Sequence, residues 1–147
     1  DGLADVSLVA APDLPGLRAV AAASLTARTF AEVEVALDTP DRTAAERISD
    51  LGSHGPWADR GRLRYTGTPA GLVALLRELA GLVDGVRLLP LVLDEDLGVL
   101  SRLVIPPLIV DRVVRRPLPG ETFRAVLGLP RPLSRYRTSP SAPGAGQ

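Results

Sequence analysis

The chain has no cysteine, which excludes a disulfide framework and any thiolate metal site. Its single histidine, His54, excludes a histidine-cluster metal centre and leaves one candidate base for a Ser-His pair. No metal cofactor is expected. Methionine is absent even at position 1, so Asp1 is not a natural start and a piece of a longer protein is expected. Lysine and asparagine are also missing, and all 17 basic residues are arginine. That pattern reads as a coding bias toward GC-rich codons rather than as chemistry. The formal net charge is zero, which gives no reason to expect a nucleic-acid partner. No signal-peptide pattern is present. The most apolar run, Leu97 to Val110, is interrupted by Arg102 and by Pro106 and Pro107. It is shorter than the roughly 20 residues a bilayer span needs. A soluble, cytoplasmic protein without a membrane partner is the expectation.

What is present fits one α/β domain: 147 residues, 46% of them hydrophobic. Asp5 to Ala11 reads as a short buried strand, and Asp13 to Ala27 as a helix opened by Pro12 and Pro15. Phe30 to Leu37 is the clearest strand. Val33, Val35 and Leu37 fall on one side of it, and Phe30, Glu32, Glu34 and Ala36 on the other. Thr39 is expected to cap a helix from Pro40 to about Leu51, stopped by Gly52. Ser53 to Arg64 reads as a polar connection.

The stretch from Gly67 to Pro90 carries the sharpest punctuation. Thr68 caps, Pro69 sits where a missing N–H costs nothing, and Leu72, Val73, Leu75, Leu76, Leu79 and Leu82 recur at helical spacing. Asp84-Gly85 then opens a strand from Val86 to about Leu93. Asp94-Glu95-Asp96 favours a helix N-terminus, and that helix runs toward Ile105 before Pro106 or Pro107 kinks it. Glu121 to Leu127 is a short last helix. Three strands interleaved with helices suggest parallel pairing, as consecutive units of a larger barrel or doubly wound sheet.

Several motifs resemble those of luciferase-like flavin-dependent monooxygenases, in the branch that includes nitrilotriacetate and dibenzothiophene-sulfone monooxygenases. Gly67-Thr68-Pro69 resembles the family's "GTPE" helix start, and Asp84-Gly85-Val86-Arg87-Leu88-Leu89-Pro90 its "DGF-L-P" strand. Val104-Ile105-Pro106-Pro107-Leu108 resembles "VVPEL", and Leu127-Gly128-Leu129-Pro130-Arg131-Pro132, with Ser134-Arg135-Tyr136, resembles "LGLPRP…NRY". The sequence departs from the pattern at Pro107, where the family carries an acidic residue, and at Ser134, where it carries asparagine.

The resemblance implies a partial (β/α)8 TIM barrel, with about three parallel strands (the sixth to the eighth) and their outer helices. Residues 1–133 would be the C-terminal portion of that barrel and 134–147 a disordered Pro/Ser/Gly tail. It further implies reduced FMN as cofactor, with a deazaflavin as the alternative. Oxidation of a small organic substrate by O2 and supply of reduced flavin by a separate flavin reductase follow from the same likeness. The other reading is a non-catalytic remnant or partner subunit that pairs with a complementary barrel half or with itself.

Glu32, Glu34, Arg87 and Pro90 are the pocket candidates; no residue is singled out as catalytic. If Val33, Val35 and Leu37 face the outer helices, both glutamates point to the interior and need a partner. Arg87, on the next strand, is expected to pair with one of them. Asp38, Thr39 and Asp94 lie at strand ends and read first as helix caps. His54 beside Trp57, and the Arg112, Arg115 and Arg116 cluster, read as solvated surface.

Overall fold

Ala31, Val33, Val35 and Leu37 fall on one side of β2 (Arg28–Leu37), and the structure follows from which way that side turns. The protein, described here as a computed structural model over residues 4–131, has two compact units, Asp1–Arg116 and Pro117–Gln147. The tail expected over 134–147 lies outside the described residues.

In the first unit the order is β1 (Val6–Val9), α1 (Leu14–Ala22), β2, α2 (Ala44–Gly52), β3 (Leu63–Gly67), α3 (Pro69–Leu79), β4 (Gly85–Pro90) and α4 (Leu93–Val99). A π-helical turn, Leu100–Val104, leads from α4 into α5 (Ile105–Val110). The second unit holds α6 (Phe123–Val126), capped by the Thr122 hydroxyl, which accepts from the Ala125 N–H. The fold is mixed α/β with a small open sheet of parallel strands and no closed barrel.

Strand β2 is the hub of the sheet. β1 pairs in parallel with residues 28–31 of β2, β3 with 33–37 and β4 with 30–35. The β4 register overlaps both of the others, so β1 and β3 share one edge of β2 and β4 takes the other. Four strands are present where three were expected. The extra one, β3, begins in the stretch read as a polar connection, at Leu63 and Arg64, and Arg62 and Arg64 obscure its alternation with Leu63 and Tyr65.

Ala31, Val33, Val35 and Leu37 face a core filled by Leu17 of α1, Leu72, Leu76 and Leu79 of α3, Val99 and Val104 of the α4 region, and Leu108 of α5. Leu63, Tyr65, Val86 and Leu88 of the flanking strands join them. Burial of a leucine on this side is worth about 1.5–3 kcal/mol each, and this is the main force closing helices onto the sheet.

Local signals set the helix limits. Thr68 caps α3 by accepting from the Gly71 N–H, and Pro69 occupies the first turn, as the sequence suggests. Helix α1 stops at Ala22, earlier than expected. Ser24 and Thr26 turn their hydroxyls to Ser7 and to the Arg28 carbonyl instead of continuing the helix. Helix α2 begins at Ala44, not Pro40, and its cap is Thr43, not Thr39. Thr43 and Glu46 form a reciprocal capping box, while Thr39 is held in a tight turn with Arg42. The π-helical turn precedes Pro106 and Pro107, which lack the N–H groups that regular helical bonds require.

Candidate functional site

The face of the sheet opposite the core carries the charged residues. Register puts Glu32 beside Arg87 and Glu34 beside Arg64 on the same side. Glu32 accepts from Arg62 Nε at 2.8 Å and from Arg87 Nη1 at 3.1 Å. Glu34 accepts from Arg64 Nε at 3.2 Å and Nη2 at 2.9 Å, and Arg62 approaches it at 3.6 Å. The pair between Arg87 and a β2 glutamate therefore forms. Its arginine end is open, with 54% of the Arg87 side chain exposed against 12% for Glu32. Hydrogen bonding to Glu32 holds the Arg62 pKa above its ordinary value, against a smaller opposing effect of burial.

Trp57 stacks on this ladder, with the Arg64 guanidinium 3.9 Å from its ring centre. The N-terminal end of the same face is apolar. Leu8 is half exposed there, and the Phe30 ring lies over Gly85, leaving no room for a Cβ at that position. Pro90 ends β4 and pairs with Val35, so it lies on the core side of the sheet, apart from Glu32, Glu34 and Arg87. The four pocket candidates thus divide into three that meet on the charged face and one that does not.

A second constellation sits where β2 and β4 end. Strand β4 turns away after the Leu91 N–H reaches the Val35 carbonyl. The next group of β2 on that edge, Leu37, has no strand residue opposite it. Asp96 and Arg47 take its place. The Leu37 N–H donates to Asp96 Oδ1 at 3.3 Å, and Arg47 Nη1 donates to the Leu37 carbonyl and to Asp96 Oδ1, the latter at 2.7 Å. Asp96 Oδ2 accepts from the Val92 N–H at 3.1 Å, which fixes the turn into α4. The ion pair is buried, at 2% and 0% exposure of its two side chains. Burial acts to lower the Arg47 pKa, but the Asp96 hydrogen bond, the charges of Asp96 and Glu95 and the polar contact of Glu95 outweigh it, so the group stays above its ordinary value.

Beside this pair is a pocket of about 180 Å³ lined by Arg42, Arg47, Asp50, His54, Val92 and Glu95, among others. Its lining runs from Arg42, ahead of α2, along that helix through Arg47 and Asp50 to His54 beyond its end, and meets Val92 and Glu95 at the start of α4. His54 is exposed, with its Nδ1 3.0 Å from the Ser53 hydroxyl. Arg42 pairs with Asp50.

Asp38 acts as a cap, accepting from the Ala44 N–H at 2.7 Å. Asp94 is exposed in the first turn of α4, and Arg112, Arg115 and Arg116 are exposed as well. The importance of Arg47 and Asp96 escapes a reading of the sequence. One signal was available: Arg47 occupies the inward stripe of α2 with Ala44 and Ile48, a position that ordinarily takes an apolar residue. Among the described residues there is no cluster of metal-binding side chains, and no helix is long and apolar enough to cross a membrane. No protein-family model matches the chain, and no curated protein matches it either.

Proposed function

We propose that this chain is the C-terminal part of a luciferase-like, FMN-dependent monooxygenase acting on a small organic substrate. One observation carries the reading beyond the motif resemblance. The parallel strands bury an apolar core on one face only, and the other face holds Glu32 and Glu34 inside a ring of arginines. Parallel sheets ordinarily have both faces covered. A closed barrel satisfies that rule differently, because its inner face becomes a lumen filled by paired side chains.

The side chains present suit a flavin unequally. Glu32 and Glu34 are each engaged by arginines, so their oxygens are poor acceptors for a cofactor. Arg87 is the better candidate, because a single bond to Glu32 leaves donors on an exposed guanidinium to meet a carbonyl or anionic group. Bound flavin would supply the oxygen chemistry. This chain's part would be to position it and to shield it from water.

A second reading draws on the half-exposed Leu8 and the open sheet edges: a non-catalytic subunit that pairs with a complementary barrel half or with itself. Supplying the purified chain with reduced FMN, O2 and a panel of small organic compounds separates the two. An oxygenated product supports the enzyme. Flavin-independent association with no turnover supports the subunit.

A further inference from the structure

The Arg47 guanidinium is unevenly used. Its Nη1 carries both internal bonds, to Asp96 and to the Leu37 carbonyl. Its other edge, formed by Nε and Nη2, is buried and makes no aligned hydrogen bond. These two are the unpartnered buried side-chain nitrogens among the described residues. That edge is the two-pronged donor that matches a carboxylate or phosphate, and leaving it unpaired is unfavourable. Glu95 comes close, with one oxygen 2.9 Å from Nε, yet the approach is out of line, and the Glu95 side chain is half exposed.

We infer that the pocket at the ends of β2 and β4 is an oxyanion subsite, in which the Nε–Nη2 edge of Arg47 receives a carboxylate or phosphoryl group and Glu95 covers that edge until the ligand displaces it. Three independent features converge on this. Val92 and Glu95, just past the end of β4, border the pocket, Arg47 lines it, and the Nε–Nη2 edge that Glu95 covers has the two-pronged shape of an anion receptor. Charge explains the role of Glu95. Arg47 is balanced by Asp96 and Arg42 by Asp50. Glu95 is then the third anion against two arginines at the pocket, held by its 2.9 Å ion pair with Arg47, and it must swing outward before another anion enters. Its exposure allows that movement. The inference is independent of flavin binding and goes beyond the proposed activity.

The test follows the Arg47 side-chain N–H resonance of the full chain during titration with inorganic phosphate and, separately, with acetate. In the Glu95→Gln variant the competing charge is gone, and saturable binding about tenfold tighter than in the native chain is expected. Arg47→Lys keeps the charge but lacks the two-pronged edge; followed through the neighbouring Leu37 and Val92 backbone amide resonances, it is expected to lose the saturable response. Response to phosphate alone assigns a phosphoryl ligand, and response to acetate alone a carboxylate. No saturable shift in Glu95→Gln with either anion, or equal affinity in the native chain and Glu95→Gln, overturns the inference. These two outcomes decide the matter even if Arg47→Lys does not fold.

Discussion

Arg47 and Asp96 stand 49 positions apart in the chain and 2.7 Å apart in space, and between them they satisfy both backbone groups of Leu37. The side-chain pair does the work of a missing strand residue at the end of β2. It also ties α2 to the first turn of α4. An ion pair this buried is a poor source of net stability in itself, but a costly one to break by halves.

Removing one partner is therefore expected to be severe. Arg47→Met leaves the buried Asp96 charge alone and should cost about 3–5 kcal/mol in urea unfolding, whereas Asp96→Ala leaves Arg47 its Glu95 partner and should cost less. Replacing both together, Arg47→Met with Asp96→Leu, removes the lone charge. It still leaves the Leu37 N–H and carbonyl without partners, so the double variant should remain about 1–3 kcal/mol below the native chain. Full recovery in the double variant would show that the backbone bonds carry no weight.

The capping box of α2 gives a pH dependence with a definite sign. The Thr43 backbone N–H donates to Glu46 at 2.7 Å and the Thr43 hydroxyl at 2.8 Å. The backbone bond first and the hydroxyl second hold the Glu46 pKa below its usual 4.5. A lowered carboxylate pKa stabilises the fold above 4.5, and that gain is lost as pH falls through the folded-state value. The stability difference between the native chain and Glu46→Gln should be constant near neutral pH and shrink below 4.5. Thermal melts across that range read it directly; a difference that grows on acidification would reverse the sign.

The two rungs of the charged ladder should differ in strength. Arg87 is half exposed, so its double-mutant coupling to Glu32 is expected to stay under about 1 kcal/mol and to fade with added salt. Glu34 is buried and takes two bonds from Arg64, so that coupling should reach about 1.5–3 kcal/mol and resist salt. Equal couplings would mean that the face is uniformly solvated.

Much of the frame was legible because its signals are local. The alternation along β2, the Thr68-Pro69 start of α3 and the Asp-Gly entry to β4 each need only neighbouring residues. Even the pairing of Arg87 with a β2 glutamate followed from strand parity. What stayed hidden depends on distant partners. Asp96 reads as one of three acids at a helix start, and nothing nearby shows that its carboxylate is claimed by Arg47 and Leu37. The β3 strand was masked by the arginines whose purpose is to meet Glu32 and Glu34 across the sheet. Thr39 and Thr43 are both competent caps, and Glu46 decides between them from three residues downstream.

Gly71 tests the close packing of the α3 start. A Cβ there would lie 2.0 Å from the Tyr65 hydroxyl, which donates to the Thr68 carbonyl at 2.8 Å. Gly71→Ala should displace Tyr65 and cost about 1–3 kcal/mol despite the better helix propensity of alanine. Adding Tyr65→Phe removes the clashing oxygen and should restore part of the loss. An unchanged melting temperature in Gly71→Ala would show that the ring moves freely.

Flavin binding is the most direct test of the proposed activity. The purified chain, titrated anaerobically with reduced FMN, should take up stoichiometric flavin and show a flavin-dependent rise in melting temperature. Arg87→Met should weaken that binding. A chain that retains no flavin after the titration and whose melting temperature does not move with reduced FMN contradicts the flavin-enzyme reading for this polypeptide.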